Sequence, residues 1–197
     1  IRDFEIPIEP FRKLVEANRM DQTVTRHQTY EDLERYCQHS ANPVGHLVLY
    51  LFGYRDEERQ ALSDYTCTAL QLVNFWQDVS RDFAMGRIYI PLEDMARFGY
   101  TEDELGRGVV NNAFRALMEF ETERARDLFN KGLALVDTLD GQLKIDVALF
   151  SQGGMKVLDA IERQGYDVLS RRPTLSRAAK VRLMLGTMVR LKLLGRP

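Results

Sequence analysis

Apolar residues along this chain recur every three or four positions and almost never alternate with polar ones, a pattern that predicts helices and leaves little room for a sheet. Start and stop signals divide the pattern. A first helix is expected from about Pro10 to Met20. A second should begin at Thr29, where Thr29-Tyr-Glu-Asp32 has the form of a capping box. Pro43 suits a first helical turn and Gly53 a stop. From about Asp56 to Ala84 no Gly or Pro interrupts the periodicity, and Gly86 ends it. Pro91 opens a short helix that closes near Gly99, and Thr101-Glu-Asp-Glu104 repeats the capping-box form. Helices near residues 111–138 and 142–163 are separated by Asp140-Gly141. The last helix follows Pro173 and runs almost to Gly195. Its apolar positions Val181, Leu185, Met188 and Leu191 predict a face packed on the rest of the bundle. The class is all-α, with residues 1–197 forming one folding unit and no repeat or linker between elements.

Composition narrows this picture. With 45% apolar and 28% charged residues in 197, the chain has the balance of a single water-folding domain with a substantial core. The apolar run His46–Phe52 is far below the roughly 20 residues that cross a bilayer. Ile1 to Pro7 lacks the basic-then-apolar order of a secretory signal and has no initiating Met, so an internal start is expected. Cys37 and Cys67 have no CxxC spacing, which argues against a zinc site or disulfide framework and for a reducing cytosol. Cys37 reads as a small packed residue. Charge is unevenly placed. Residues 171–197 hold eight Lys or Arg and no acid, so the remainder carries −10 of a total of −2. Such an end suits peripheral contact with anionic lipids or an acidic partner. Nucleic acid is not expected, because no recognition motif accompanies the basic residues. Oligomeric state is not legible.

Candidate chemistry concentrates on the long helix. At 100° per residue with Gln71 at zero, Asn74 falls at about −60°, Asp78 at about −20° and Asp82 at about +20°. These four side chains share one stripe. Leu72, Trp76, Val79 and Phe83 occupy the adjoining arc, which should pack or line a pocket. Asp78 and Asp82 stand one turn apart, where each raises the other's cost of ionisation unless a cation intervenes. Magnesium suits such a pair, since it takes one or two carboxylates and completes its shell with water and phosphate oxygens. An isolated DxxxD is ordinarily a solvated helix face. Here Gln71 and Asn74 extend the stripe, and Arg87, able to fork phosphate oxygens, follows just beyond the helix end. His27, His39 and His46 lack metal-ligand spacing and read as satisfied structural histidines. Asp21 and Arg26, near the end of the first helix, could approach this site but read first as a surface ion pair, and Gly106-Arg-Gly108 is too short for a phosphate loop.

As a unit, Gln71-Leu-Val-Asn-Phe-Trp-Gln-Asp78-Val-Ser-Arg-Asp82-Phe-Ala-Met-Gly-Arg87-Ile-Tyr89-Ile-Pro91 resembles the second aspartate-rich signature of squalene and phytoene synthases. Tyr36-Cys-Gln-His-Ser-Ala41-Asn-Pro-Val44-Gly45 resembles the family's Tyr-Cys signature. The likeness continues through Phe150-Ser-Gln-Gly-Gly-Met155 and Ile161-Glu-Arg-Gln-Gly-Tyr-Asp-Val168, and so covers essentially the whole chain. The resemblance implies an isoprenoid synthase bundle around a central cavity. It implies Asp78 and Asp82 as Mg2+ ligands, Arg87, Gln71 and Asn74 as diphosphate-site residues, and Tyr36 as the tyrosine of the first condensation. Phe75 and Trp76 are candidates to face a carbocation, with plain core as the equal alternative.

Three departures qualify the likeness. Gln77 stands where most members have an arginine before the first aspartate, and Asn42-Pro43 replaces the usual small and aliphatic pair. With the Asn-Phe-Trp-Gln-Asp run, these look most like the bacterial hopanoid branch, whose implied reaction takes presqualene diphosphate to hydroxysqualene with water as the quench. The family's first aspartate-rich motif is expected upstream of Ile1, and no second DxxxD-like cluster is present, so half of the implied magnesium cage and the N-terminal helices are missing. Alternatives are a phytoene synthase acting on longer substrates and a catalytically silent helical partner of another prenyl synthase.

Overall fold

A computed structural model describes residue 1 and residues 4–194, and among them the chain forms ten helices. They are α1 (Glu9–Met20), α2 (Tyr30–Ser40), α3 (Asn42–Leu51), α4 (Glu57–Ala84), α5 (Leu92–Arg97), α6 (Glu102–Gly106), α7 (Asn112–Gly132), α8 (Ala134–Asp137), α9 (Gly141–Arg163) and α10 (Arg177–Leu194). The only extended pairing among these residues is a bridge between Arg26 and Ile88. Capping fixes the helix starts where the side chains announce it. Thr29 accepts from Asp32 N while the Asp32 carboxylate accepts from Thr29 N, and Thr101 and Glu104 do the same at α6. Asp56 accepts from Arg59 N and sets the first turn of α4. Gly53 and Gly86, both at positive φ, end α3 and α4.

The core is built on α4, which packs most extensively against α7, with α3 and α9 along its other sides. Trp76, Leu72, Phe114, Leu117, Met118 and Phe129 are fully buried there. Each such side chain contributes roughly 1.5–3 kcal/mol by leaving water. The adjoining arc of α4 is therefore core, as its periodicity predicts: Leu72, Trp76 and Val79 are buried and Phe83 half-buried.

Two expectations need correction. The helix expected over residues 111–138 is interrupted at Leu133, giving α7 and the single turn α8. Gly132 sits where α7 crosses α4 against Thr66, with no room for a Cβ, and the chain redirects just beyond this close approach. In α10, Val181 and Leu185 are 51% and 56% exposed, so that stripe does not face the bundle. The side chains of Met188 and Leu191 lie outside the described residues. The inward face instead carries Thr187, 1% exposed, which bonds Gln152 Oε1 at 2.7 Å, and Leu183, which meets Gly153 of α9.

Candidate active site

The last turns of α4 and the segment after it bring Asp82 and Arg87 together, with Tyr36 close by. Asp82 and Arg87 line one narrow crevice of about 10 Å³ with Phe75, Trp76 and Tyr89. The Arg87 guanidinium reaches the Asp21 carbonyl at 3.1 Å and the Tyr89 hydroxyl at 3.5 Å. Tyr36, 6% exposed, donates its hydroxyl to Asp21 Oδ1 at 2.9 Å, so Tyr36 and Arg87 converge on a single aspartate. Asp21 is thus no surface partner of Arg26, which pairs with Glu102 at 3.0 Å. The α1–α2 connection carries it inward because Thr25 and His27 accept backbone bonds from Ile88 and Leu92, tying that connection to the segment after α4.

Four rings pack around this point. Phe75 stacks on Tyr89 with centroids 3.7 Å apart, and Tyr36 and His27 lie within 6 Å of Tyr89. Burial pushes the Tyr36 hydroxyl well above its usual range, and Tyr89 and Asp21 add to the effect, so Tyr36 keeps its proton. Burial lowers His27, which stays neutral against Tyr36 despite Asp32 and Asp21. His27 and Asp21 are the site residues that sequence reasoning set aside, the first as a structural histidine and the second in favour of a surface ion pair. A His without metal spacing and an acid in a turn carry no signal until the turn folds onto the segment after α4.

The two carboxylates of the stripe differ sharply. Asp78 accepts a forked pair of bonds from Arg172, Nε to Oδ1 and Nη2 to Oδ2, both at 2.8 Å, and a further bond from Arg81 at 3.1 Å. These bonds, Arg172's first, hold its carboxyl below the usual range. Asp82 is half-buried with no ion pair among the described residues. Burial, then the charge of Asp78, pushes it up to about 6, with Arg87 only partly offsetting them. An unrelieved acid beside a second one is the arrangement a hard divalent cation stabilises. Asp78 and Asp82 remain its two candidate ligands, for no cluster of three or more His, Cys, Asp or Glu suited to a metal exists among the described residues. Gln71 is half-buried and Asn74 exposed on the same stripe, both outside the crevice wall. Trp76 and Phe75 both border the crevice, but Trp76 is wholly enclosed, 0% exposed, which makes it core, whereas Phe75 keeps 6% exposure. A roomier cleft of about 780 Å³ lies between α9 and α10 near Arg126, Met155 and Leu183, but none of the candidate residues lines it. No described helix is long and apolar enough to cross a membrane.

An all-α bundle presenting an acid and amide stripe beside a buried tyrosine has the architecture of the isoprenoid synthases, and solved structures bear this out. The squalene synthase HpnC of Alicyclobacillus acidocaldarius superposes with a TM-score of 0.83 at 45% identity, over 84% of this chain and 63% of that one. A dehydrosqualene synthase crystallised with a ligand gives 0.87 at 27% identity, over 95% and 66%. The chain belongs to the squalene/phytoene synthase family, which its residues 1–179 match. Among curated relatives, the 15-cis-phytoene synthase of Synechococcus elongatus is 34% identical over 86% of this chain, and the chain spans 59% of that protein's length.

Proposed function

We propose that this chain carries the second aspartate-rich half of a magnesium-dependent synthase that turns prenyl diphosphates into a squalene-type precursor. Presqualene diphosphate to hydroxysqualene for hopanoid synthesis is the favoured reaction. The observation that carries it is the uncompensated Asp82 beside Asp78, sharing a crevice with Arg87. The 45% identity to HpnC supports the squalene branch.

In this reading magnesium, bound by Asp78 and Asp82, supplies charge stabilisation to a departing diphosphate. Arg87 binds diphosphate oxygens, and Gln71 and Asn74 offer amides along the same stripe. The substrate C–O bond breaks with its electron pair leaving on the diphosphate. Tyr36 holds its proton at the hydroxyl, oriented by Asp21. Phe75 and Tyr89 present apolar faces to the carbon skeleton and limit water near the cation. Addition of one water and loss of one proton gives hydroxysqualene.

The test is incubation of the full-length protein with magnesium and, separately, farnesyl, presqualene and geranylgeranyl diphosphates, with products identified by mass spectrometry. Hydroxysqualene or squalene supports the reading. Phytoene would establish the second reading, which the 34–35% identity to the 15-cis-phytoene synthases of Synechococcus elongatus and Synechocystis favours. No diphosphate release from any substrate leaves the silent helical partner.

Peripheral membrane contact belongs to the same reading. Val181, Leu185 and Val189 are exposed on α10, which also exposes Arg177 and Arg182, an apolar ridge on a basic helix suited to an anionic bilayer. Co-sedimentation that is indifferent to the anionic lipid content of vesicles would remove this part.

A further inference from the structure

Residues 164–176 link α9 to α10, and two adjacent residues of α4 grip two adjacent residues of this link. Asp78 receives both guanidinium nitrogens of Arg172 at 2.8 Å. Its neighbour Gln77, 7% exposed, donates its side-chain amide to the Pro173 carbonyl at 2.6 Å. Elsewhere the link is held at its two ends, where Arg115 donates to the Gly165 carbonyl and Ser176 Oγ accepts from Ala179 N, and internally, where Gln164 donates to the Arg171 carbonyl and Ser170 N to Asp167 Oδ1. Arg172 has a long stem with many rotamers, and only a fixed backbone makes one of them prevail. Pro173, locked in φ and buried, gives that fixed point, and Gln77 holds it.

We propose that Gln77 is a positioning residue: by anchoring the Pro173 carbonyl it sets the Arg172 guanidinium on Asp78, so that cation binding at Asp78 and closure of the α9–α10 link are coupled. This rests on the reading of Asp78 as a cation ligand. Both Asp78 oxygens are engaged by Arg172, and a cation approaching that carboxylate competes with a charge held by a neutral amide one residue away. By linkage, whatever the cation does to the clasp, the clasp does to cation affinity by the same factor.

The experiment is titration of the full-length protein with magnesium chloride alone, together with amide exchange at Arg172 and Thr174. Arg172→Met should tighten magnesium about tenfold, the scale of a charge-assisted bidentate pair. Gln77→Met, which keeps volume and removes the donor, should tighten it about threefold when Arg172 is present and not at all in the Arg172→Met background. That vanishing effect is the signature of action through Arg172. An equal shift in both backgrounds would overturn the proposal, as would unchanged exchange at Arg172 and Thr174 in Gln77→Met. Should magnesium bind neither the wild type nor Arg172→Met, the metal reading of Asp78 falls, and the exchange measurement alone decides whether Gln77 holds the link. If Gln77→Met does not fold, wild-type exchange with and without magnesium decides: coupling requires faster exchange at Arg172 when the cation is present.

Discussion

The same local grammar, an acid with an arginine three residues on, does opposite work in α7 and in α4. In α7 Glu121 pairs with Arg124, whose guanidinium also reaches Asp94 of α5 at 2.8 Å and lies 4.0 Å over the Tyr30 ring. In α4 Asp78 pairs with Arg81, and Arg172 arrives from the far end of the chain. The first cluster has two acids to one arginine and is enclosed, with Glu121 at 0% exposure and Asp94 at 3%. The second has one acid to two arginines, opens to solvent, and leaves Asp82 unpaired beside it. Enclosed charge is there to be satisfied within the fold, whereas half-open charge left unsatisfied is a site.

Removing the shared arginine of the enclosed cluster should have the largest effect. Arg124→Met strands the buried Asp94 carboxylate and removes the donor that Glu121 accepts from, and should cost about 3–5 kcal/mol in urea unfolding. Should it cost less than about 1 kcal/mol, Asp94 and Glu121 would not depend on Arg124. The opposite profile is expected at the open cluster. Asp82→Asn should lower turnover at least about a hundredfold, as loss of a metal ligand does. It should leave stability unchanged or slightly raised, since it removes an unrelieved charge. Turnover intact in Asp82→Asn would end the metal assignment.

A pH series sharpens the contrast further. Burial, with Asp94 beside it, pushes Glu121 up from 4.5 to about 8 even against Arg124. The folded state therefore binds more protons than the unfolded state between those values, and this residue's contribution to stability falls as pH rises through that window. Glu121→Gln carries no such dependence. It should gain on the wild type by on the order of 2 kcal/mol between pH 5 and pH 8 in parallel urea titrations. Equal slopes would place Glu121 ionised throughout.

Which parts of this were legible beforehand follows from the range of the interactions. The boundaries at Thr29, Asp56, Thr101 and Gly86 are set by bonds within a few residues, and the sequence announces them. The break at Leu133 follows the crossing of Gly132 on α7 with Thr66 on α4, three helices earlier, and no local pattern marks it. In α10 the apolar spacing of Val181 and Leu185 suggested an inward face, but α9 takes Leu183 and Thr187 instead. Periodicity tells which residues share a face and not which way it turns. The stripe of Gln71, Asn74, Asp78 and Asp82 was legible because one helix carries it. The Tyr36–Asp21 bond and the Arg172 fork join residues 15 and 94 positions apart, and only the tertiary fold brings them together.

The smallest effect isolates environment from spacing. Arg81 meets Asp78 at 3.1 Å with the i,i+3 separation that Arg124 keeps from Glu121, yet its side chain is 65% exposed against 19%. Water screens the first pair, and holding a long side chain in one geometry offsets most of what attraction remains. Arg81→Gln should therefore change stability by only about 0.2–0.5 kcal/mol, an effect that 1 M salt should erase. A loss approaching that of Arg124→Met would mean that Asp78 depends on Arg81 as much as on Arg172, and that the open cluster is structural after all.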